Sequence, residues 1–279
     1  MCEGSGKDVE REEKMRDYVD LERKIYSGSC LTDFMHCPKK FYFRWVRKLE
    51  PKEEAPSIVF GKVFHEALLV WYQTGDEKEA LKVFEKIPVG IADDHRTKEL
   101  GETIFKEYVE RYKSEPYRTL YLEKEFKVEV VEGKILAGTV DKIVDWNGQI
   151  YVVDHKTSSS VGLSFFNRFR PNPQIDGYCY ACKELLGRCD GAIINGISVA
   201  KNPKERFARD ITSRSNREFL LYAKTFDFWT EMIELCIKHK EWPMNTTHCN
   251  QFGKCVFWEL CVYGEDERLV EWKFKRKEE

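Results

Sequence analysis

The chain has no apolar run approaching the roughly 20 residues that a membrane-spanning helix needs, so a spanning helix is not expected. Its first twenty residues are strongly charged and lack the apolar core of a signal peptide. These two absences predict a cytoplasmic protein, or one from the interior of a cell or virus, phage included. An excess of either charge is missing too. The 46 Lys and Arg against 48 Asp and Glu leave a net charge of −2, so any surface for a polyanion must be local. There is no internal repeat and no low-complexity tract, which sets aside solenoids and fibrous arrays.

What is present is an ordinary globular composition, 42% hydrophobic over 279 residues, enough for one large domain or two small ones. Cysteine is the exception, with ten residues. In a reducing compartment clustered cysteines point to metal binding or catalysis more than to disulfides.

The most informative stretch runs from Gly138 to Thr157. Asn147-Gly148 sits between two alternating apolar runs and predicts a two-residue hairpin turn, since both turn positions need positive φ. With Trp146 facing Gln149, paired residue numbers sum to 295, and Asp141 falls opposite Asp154. Side chains alternate with period two, so Lys156 shares their face. Directly opposed residues have Cβ atoms about 5 Å apart, and like charges there are destabilising. A hairpin needs no such pair. A divalent cation between the carboxylates would relieve the repulsion, and Lys156 beside it could steady a developing negative charge or orient a water. The plainer reading is an acidic, solvated strand face.

Further motifs flank this hairpin. Residues 1–26 read as a charged arm. Near Ser29-Cys30-Leu31-Thr32-Asp33, small polar residues can cap a helix. Cys37-Pro38 then opens a segment in which Lys39, Lys40, Arg44, Arg47 and Lys48 interleave with Phe41, Phe43 and Trp45. Such interleaving suits either a single-stranded nucleic-acid groove or a core helix with solvated cations. The aromatics form no single stripe, so contacts on several sides are expected. A helix opening after Gly61 buries Phe64, Ala67, Leu68 and Trp71, with His65 beside that stripe. Helices are predicted over Glu77 to Ile87, Thr97 to Lys113, Asn172 to Gly187 and from Ser213 or Ser215 to His239, with strands at Tyr121 to Val131, Lys134 to Trp146, Gln149 to Thr157, Asp190 to Val199 and Phe207 to Thr212. Gln174 and Tyr178, four apart, share a helix face. Late in the chain Cys249, Cys255 and Cys261 are spaced by six in a stretch with little regular structure to hold it. Three thiolates need a fourth ligand. Zinc would accept the neighbouring His248, an iron–sulfur cluster would want a fourth cysteine, and three unrelated buried cysteines is the plain alternative.

Taken in order, these marks resemble the RecB-like branch of the PD-(D/E)XK nuclease superfamily, in its iron–sulfur group with the CRISPR-associated exonucleases. They are Cys37-Pro38 with its basic-aromatic helix, Gly61 to Glu66 as Gly-x-x-x-His-Glu, Gly138 to Asp141 as Gly-x-x-Asp, Asp154-His155-Lys156-Thr157, Gln174 to Tyr178, and the three late cysteines. The resemblance runs from about Ser29 to Cys261. It implies an α/β restriction-endonuclease-like core, a central mixed sheet containing an antiparallel meander flanked by helices, in a single domain over 27–265 followed by a charged tail over 266–279. It implies Mg²⁺ or Mn²⁺ ligands at His65, Asp141, Asp154 and the His155 carbonyl, a catalytic Lys156, and a DNA-contacting helix at Gln174 and Tyr178. It also implies a [4Fe–4S] cluster on Cys37, Cys249, Cys255 and Cys261, stapling the two ends of the domain. Against that resemblance, the first gap between the late cysteines, Cys249 to Cys255, is longer than in many of the family. The expected function is a metal-dependent DNA exonuclease acting on single strands or ends in recombination, repair, phage DNA metabolism or CRISPR adaptation. The alternative is a catalytically silent DNA-binding scaffold of the same fold. The sequence holds no helicase motif, so a helicase, recombination or CRISPR-adaptation partner would be a separate chain.

Overall fold

The computed structural model describes residues 18–88, 96–251 and 253–277. Most of the expected charged arm, residues 1–17, lies outside them. The chain builds β1 (Ile25–Ser27), α1 (Gly28–His36), α2 (Pro38–Phe41), β2 (Leu49–Pro51), α3 (Pro56–Thr74), α4 (Glu77–Lys82) and α5 (Lys98–Tyr112). The strands β3 (Arg118–Val131), β4 (Lys134–Trp146) and β5 (Gln149–Ser158) follow as the expected meander. Then come α6 (Leu163–Phe166), α7 (Pro173–Leu186), β6 (Gly191–Ser198), β7 (Phe207–Ser213), α8 (Asn216–His239), α9 (Trp258–Tyr263), α10 (Glu267–Lys273) and β8 (Phe274–Arg276).

Six strands form one mixed sheet in the order β1-β4-β5-β6-β7, with β3 also on β4. The Asn147-Gly148 turn sets the β4–β5 register. Both residues have positive φ, and the pairs run from Trp146↔Gln149 to Lys142↔Val153, all summing to 295. β5 and β6 run parallel, joined by α7, while β6 and β7 are antiparallel. Local chemistry places the connecting helices. Asn172 caps α7 by accepting from the Gln174 and Ile175 amides, Pro173 occupies its first turn, and Gly187 ends it in the left-handed conformation. A capping box between Ser215 and Glu218 starts α8.

One pairing detail makes room for a site. On a single edge of β4, β1 pairs with residues 135–137 and β5 with residues 142–146. Gly138 to Asp141 lie in the interval between these two partners, so the strand edge is handed from one neighbour to the other across four residues. β5 meanwhile continues along β6 as far as Ser158.

Several expectations are corrected. The helix expected to open after Gly61 begins at Pro56 and runs through that glycine, because Pro at the first turn is pre-organised for helix and Gly61 packs against Thr157. The Glu77 to Ile87 helix tightens to a 3₁₀ turn over Val83–Lys86. After Pro38 a short α-turn passes into a π-helix at Tyr42–Val46. That wider turn shifts the side-chain rows, which is how Phe41 and Phe43, only two apart, are both fully buried. Its cations are spoken for. Lys40 and Arg44 pair with Asp33, at 2.7 and 3.2 Å, while Lys39 and Arg47 reach Glu265 at 2.6 and 2.8 Å. The core-helix reading therefore prevails over the nucleic-acid groove for this segment. Residues 267–276, within the charged tail read over 266–279, form α10 and then β8, which pairs antiparallel with β2. Phe43, Leu49, Phe257, Leu260, Val270 and Phe274 make a small core beneath that pair.

Candidate active site

Asp141 stands at the last residue of the unpaired interval on β4, and Asp154 is the first β5 residue beyond its last pairing with β4. Here the strands part, and a side chain replaces the ladder. Asp141 Oδ2 accepts from the His155 backbone N–H at 3.0 Å. The same oxygen lies 3.3 Å from His65 Nδ1, which α3 brings in from the side. Lys156 Nζ donates to Asp154 Oδ1 at 2.9 Å and stands 2.7 Å from Oδ2. The two pairs lie within electrostatic reach of one another, with Asp141 and Asp154 only 7% and 2% exposed. Burial, and after it the nearby Asp141 charge, pushes the Asp154 carboxyl above the usual range, while Lys156 pulls the other way. Two carboxylates buried this close are a poor arrangement without a cation. Hard oxygen donors beside a histidine suit Mg²⁺ or Mn²⁺. Among the described residues, no three His, Cys, Asp or Glu side chains are gathered as a ready ligand set for one ion; the His65–Asp141 contact and the Asp154–Lys156 pair lie side by side, with Asp141 and His65 near enough to act on the Asp154 charge.

The family profile of the PD-(D/E)XK nuclease superfamily matches residues 26–262. The chain belongs to that superfamily. Among solved structures, a provisionally assigned exonuclease from Eubacterium rectale superposes with a TM-score of 0.53 at 15% identity, covering 94% of this chain and 100% of that one. This likeness bears on the fold, which is the restriction-endonuclease-like one expected. A second, the protein SSO0001, matches at a TM-score of 0.33 and 18% identity over 83% of this chain and 96% of its own, too distant to bear on the fold. No curated protein sequence matches the chain.

The other residues singled out in this PD-(D/E)XK chain fall into two groups. Gln174 Nε2 donates to the Tyr178 hydroxyl at 3.1 Å, on the α7 helix that packs against β3, β4 and β5. Cys37, Cys249, Cys255 and Cys261 line one pocket together with Lys40 and His248, although three of them lie more than 200 residues from the first; among the described residues no three of these side chains are gathered as a ready ligand set, so the expected [4Fe–4S] site is not evident. Burial, with the neighbouring thiols second, pushes Cys261 up to about 11, and burial raises Cys255 as well. The stacked rings of His36 and His248, 4.0 Å apart, adjoin this pocket. Cys30, Cys179, Cys182 and Cys189 are buried packing residues; Cys2 lies outside the described residues.

Sequence reasoning missed the polar layer behind the carboxylates. The His155 side chain turns away from Asp154 and meets Asn195, its cross-strand partner on β6, at 2.7 Å. Burial holds the His155 imidazole well below its ordinary pKa. Lys142, 1% exposed, lies over the Tyr72 ring at 3.6 Å with no bonding partner for its ammonium, and burial lowers it to about 8. One signal was available: Asn195 is the sole amide in the apolar run of β6, and a buried amide in a central strand demands partners.

Proposed function

We propose that this chain is a divalent-metal-dependent deoxyribonuclease of the RecB-like, iron–sulfur group, acting exonucleolytically on single strands or DNA ends. The observation that carries the reading is the buried Asp141–Asp154 pair, with Lys156 and His65, at the opening between β4 and β5. His65, both carboxylates and the His155 carbonyl would hold Mg²⁺ or Mn²⁺, which when bound supplies charge stabilisation at a scissile phosphate. Asp154 keeps Lys156 oriented, so the ammonium is positioned to order the attacking water and to donate to charge developing on phosphate oxygens. Asp141, tied by the His155 amide, fixes the separation of the two strands. Gln174 and Tyr178 would line the path of the strand. The donor chemistry of the four-cysteine pocket supports a [4Fe–4S] cluster held by Cys37, Cys249, Cys255 and Cys261 as a structural staple, with 27–265 as one domain around it. Among the described residues no helix is long and apolar enough to cross a membrane. A helicase, recombination or CRISPR-adaptation partner would fit such an activity.

The test is digestion of end-labelled single-stranded and duplex DNA by anaerobically purified protein, with Mg²⁺ or Mn²⁺, beside Asp154→Ala and Lys156→Ala. Loss of label that needs metal and both residues is expected, and 5′ against 3′ labels would read polarity. Iron-loaded wild type that cleaves nothing would instead favour the silent DNA-binding scaffold.

A further inference from the structure

His155 is tethered to a closed circuit of hydrogen bonds drawn from five other parts of the fold. His155, Asn195 and Arg209 are cross-strand partners on β5, β6 and β7 and so form one row across the sheet. Arg209 Nε donates to Asn195 Oδ1 at 3.1 Å. Guanidinium can only donate, so the oxygen of the Asn195 amide must face Arg209 and its NH₂ must face the other way. That NH₂ donates to the Tyr108 hydroxyl on α5 at 2.6 Å and meets His155 Nδ1 at 2.7 Å. Nδ1 must then accept, which leaves the imidazole proton on Nε2.

The circuit closes through the helices. Tyr72 on α3 donates to Glu115 Oε1 at 3.2 Å, so its oxygen accepts from Tyr108 at 2.9 Å. Glu115 in turn receives both guanidinium nitrogens of Arg209, at 2.6 and 2.9 Å. Every direction in the loop follows from one residue that can only donate, Arg209, and one that receives throughout, Glu115. Such a largely buried network is held to one hydrogen-bond polarity, and losing any member leaves others unpaired in a low dielectric.

We infer that this ring, with Arg209 and Glu115 at its poles, positions the His155 peptide and through it the divalent-metal site. The inference rests on the proposed reading of Asp141 and Asp154 as ligands. The mechanical link is short. The ring fixes the imidazole, the imidazole fixes the backbone of its own residue, and that backbone N–H holds Asp141 Oδ2 at 3.0 Å while its neighbours are Asp154 and Lys156. Asn195, Arg209, Tyr108, Tyr72 and Glu115 touch neither substrate nor metal in this account. They are positioning residues.

Mn²⁺ binding to the whole protein, followed by electron paramagnetic resonance of the free ion, tests this apart from activity. Arg209→Lys, which cannot keep the two-pronged bond to Glu115 together with the bond to Asn195, should weaken Mn²⁺ about tenfold, as partners just outside a ligand set commonly do. Glu115→Gln should do the same, and it carries the test if Arg209→Lys does not fold. kcat at fixed Mn²⁺ should fall with KM for DNA unchanged. Arg206→Lys is the structural control. Arg206 likewise bonds Glu107 and the Ser198 and Ala200 carbonyls but lies outside the ring, so its loss should lower thermal stability and leave Mn²⁺ affinity alone. Folded Arg209→Lys and Glu115→Gln proteins with wild-type Mn²⁺ affinity, or equal weakening in Arg206→Lys, would overturn the inference while the nuclease reading stood. A wild type that binds no Mn²⁺ would overturn both.

Discussion

Replacing Asp154 with asparagine should make the metal-free protein more stable while abolishing metal binding. Two unit charges about 5 Å apart at an effective dielectric of about 20 repel by about 3 kcal/mol. Lys156, 2.7 Å from Asp154, opposes this with an attraction at least as large before its part-exposed ammonium is screened, and it is burial of the carboxylate, the largest cause of its raised pKa, that tips the balance against the charged form. A net gain of about 1–2 kcal/mol remains, or roughly 4 °C in Tm for a chain of this size. The sign depends on pH in a definite way. The Asp154 pKa is raised in the folded state, so its protonated form contributes stability in acid that is lost as pH rises through that raised value. The advantage of Asp154→Asn in EDTA should therefore widen from acid towards neutral pH. Metal should reverse the ranking. At a hundredfold excess over Kd a bound ion stabilises wild type by about 2.7 kcal/mol and the variant by almost nothing. Differential scanning calorimetry in EDTA and in Mn²⁺ measures both halves. An Asp154→Asn protein less stable than wild type in EDTA at neutral pH, or stabilised equally by Mn²⁺, would refute the argument.

Lys156→Ala should retain Mn²⁺ binding but lose about 10²–10³ in kcat, the usual scale for one charge-stabilising donor, as read by single-turnover cleavage of labelled DNA. Cys261→Ser should lower both iron content and thermal stability; full iron in the purified variant would break the ligand assignment. Lys142→Met should raise Tm at pH 7, because burial depresses that ammonium to about 8; a depressed pKa contributes stability above its ordinary value that is lost as pH falls through 8, so the gain should vanish towards pH 10.5. Gly191→Ala should fail to fold, since its φ is +155° and an added Cβ would sit 1.9 Å from the Thr212 carbonyl oxygen; circular dichroism of the expressed variant decides it.

The parts of the fold legible in the sequence were those written locally. Asn147-Gly148 alone carried the register that brings Asp141 towards Asp154. Asn172-Pro173 and Ser215 with Glu218 announced their helices by capping chemistry. What stayed hidden is non-local. β1, β2 and β8 are three residues each, too short for any alternation to show, and exist because of partners far away in the chain. The helix read as opening after Gly61 runs through it, and although glycine costs a helix interior about 1 kcal/mol, it holds through its buried stripe. The meeting of Cys37 with the late cysteines came only from family resemblance, since no spacing rule reaches across two hundred residues. The ring behind His155 joins β5, β6, β7, α3 and α5, and only tertiary structure assembles it.

The pairing of β2 with β8 bears on how the protein is born. Pro51 and Phe274 pair although 223 residues separate them. Closing a flexible loop of that length costs about 5 kcal/mol in chain entropy beyond a constant term, more than two three-residue strands and a six-residue core offset, so this pair forms only after the sheet has brought the two ends together. During synthesis Phe43 and Leu49 leave the ribosome long before Phe257, Val270 and Phe274 exist, and must wait uncovered. The small lobe is therefore the last piece to become native and, without its proposed cluster, the first to come apart, so a protease acting on the iron-free folded protein should nick there while the six-stranded sheet stays whole.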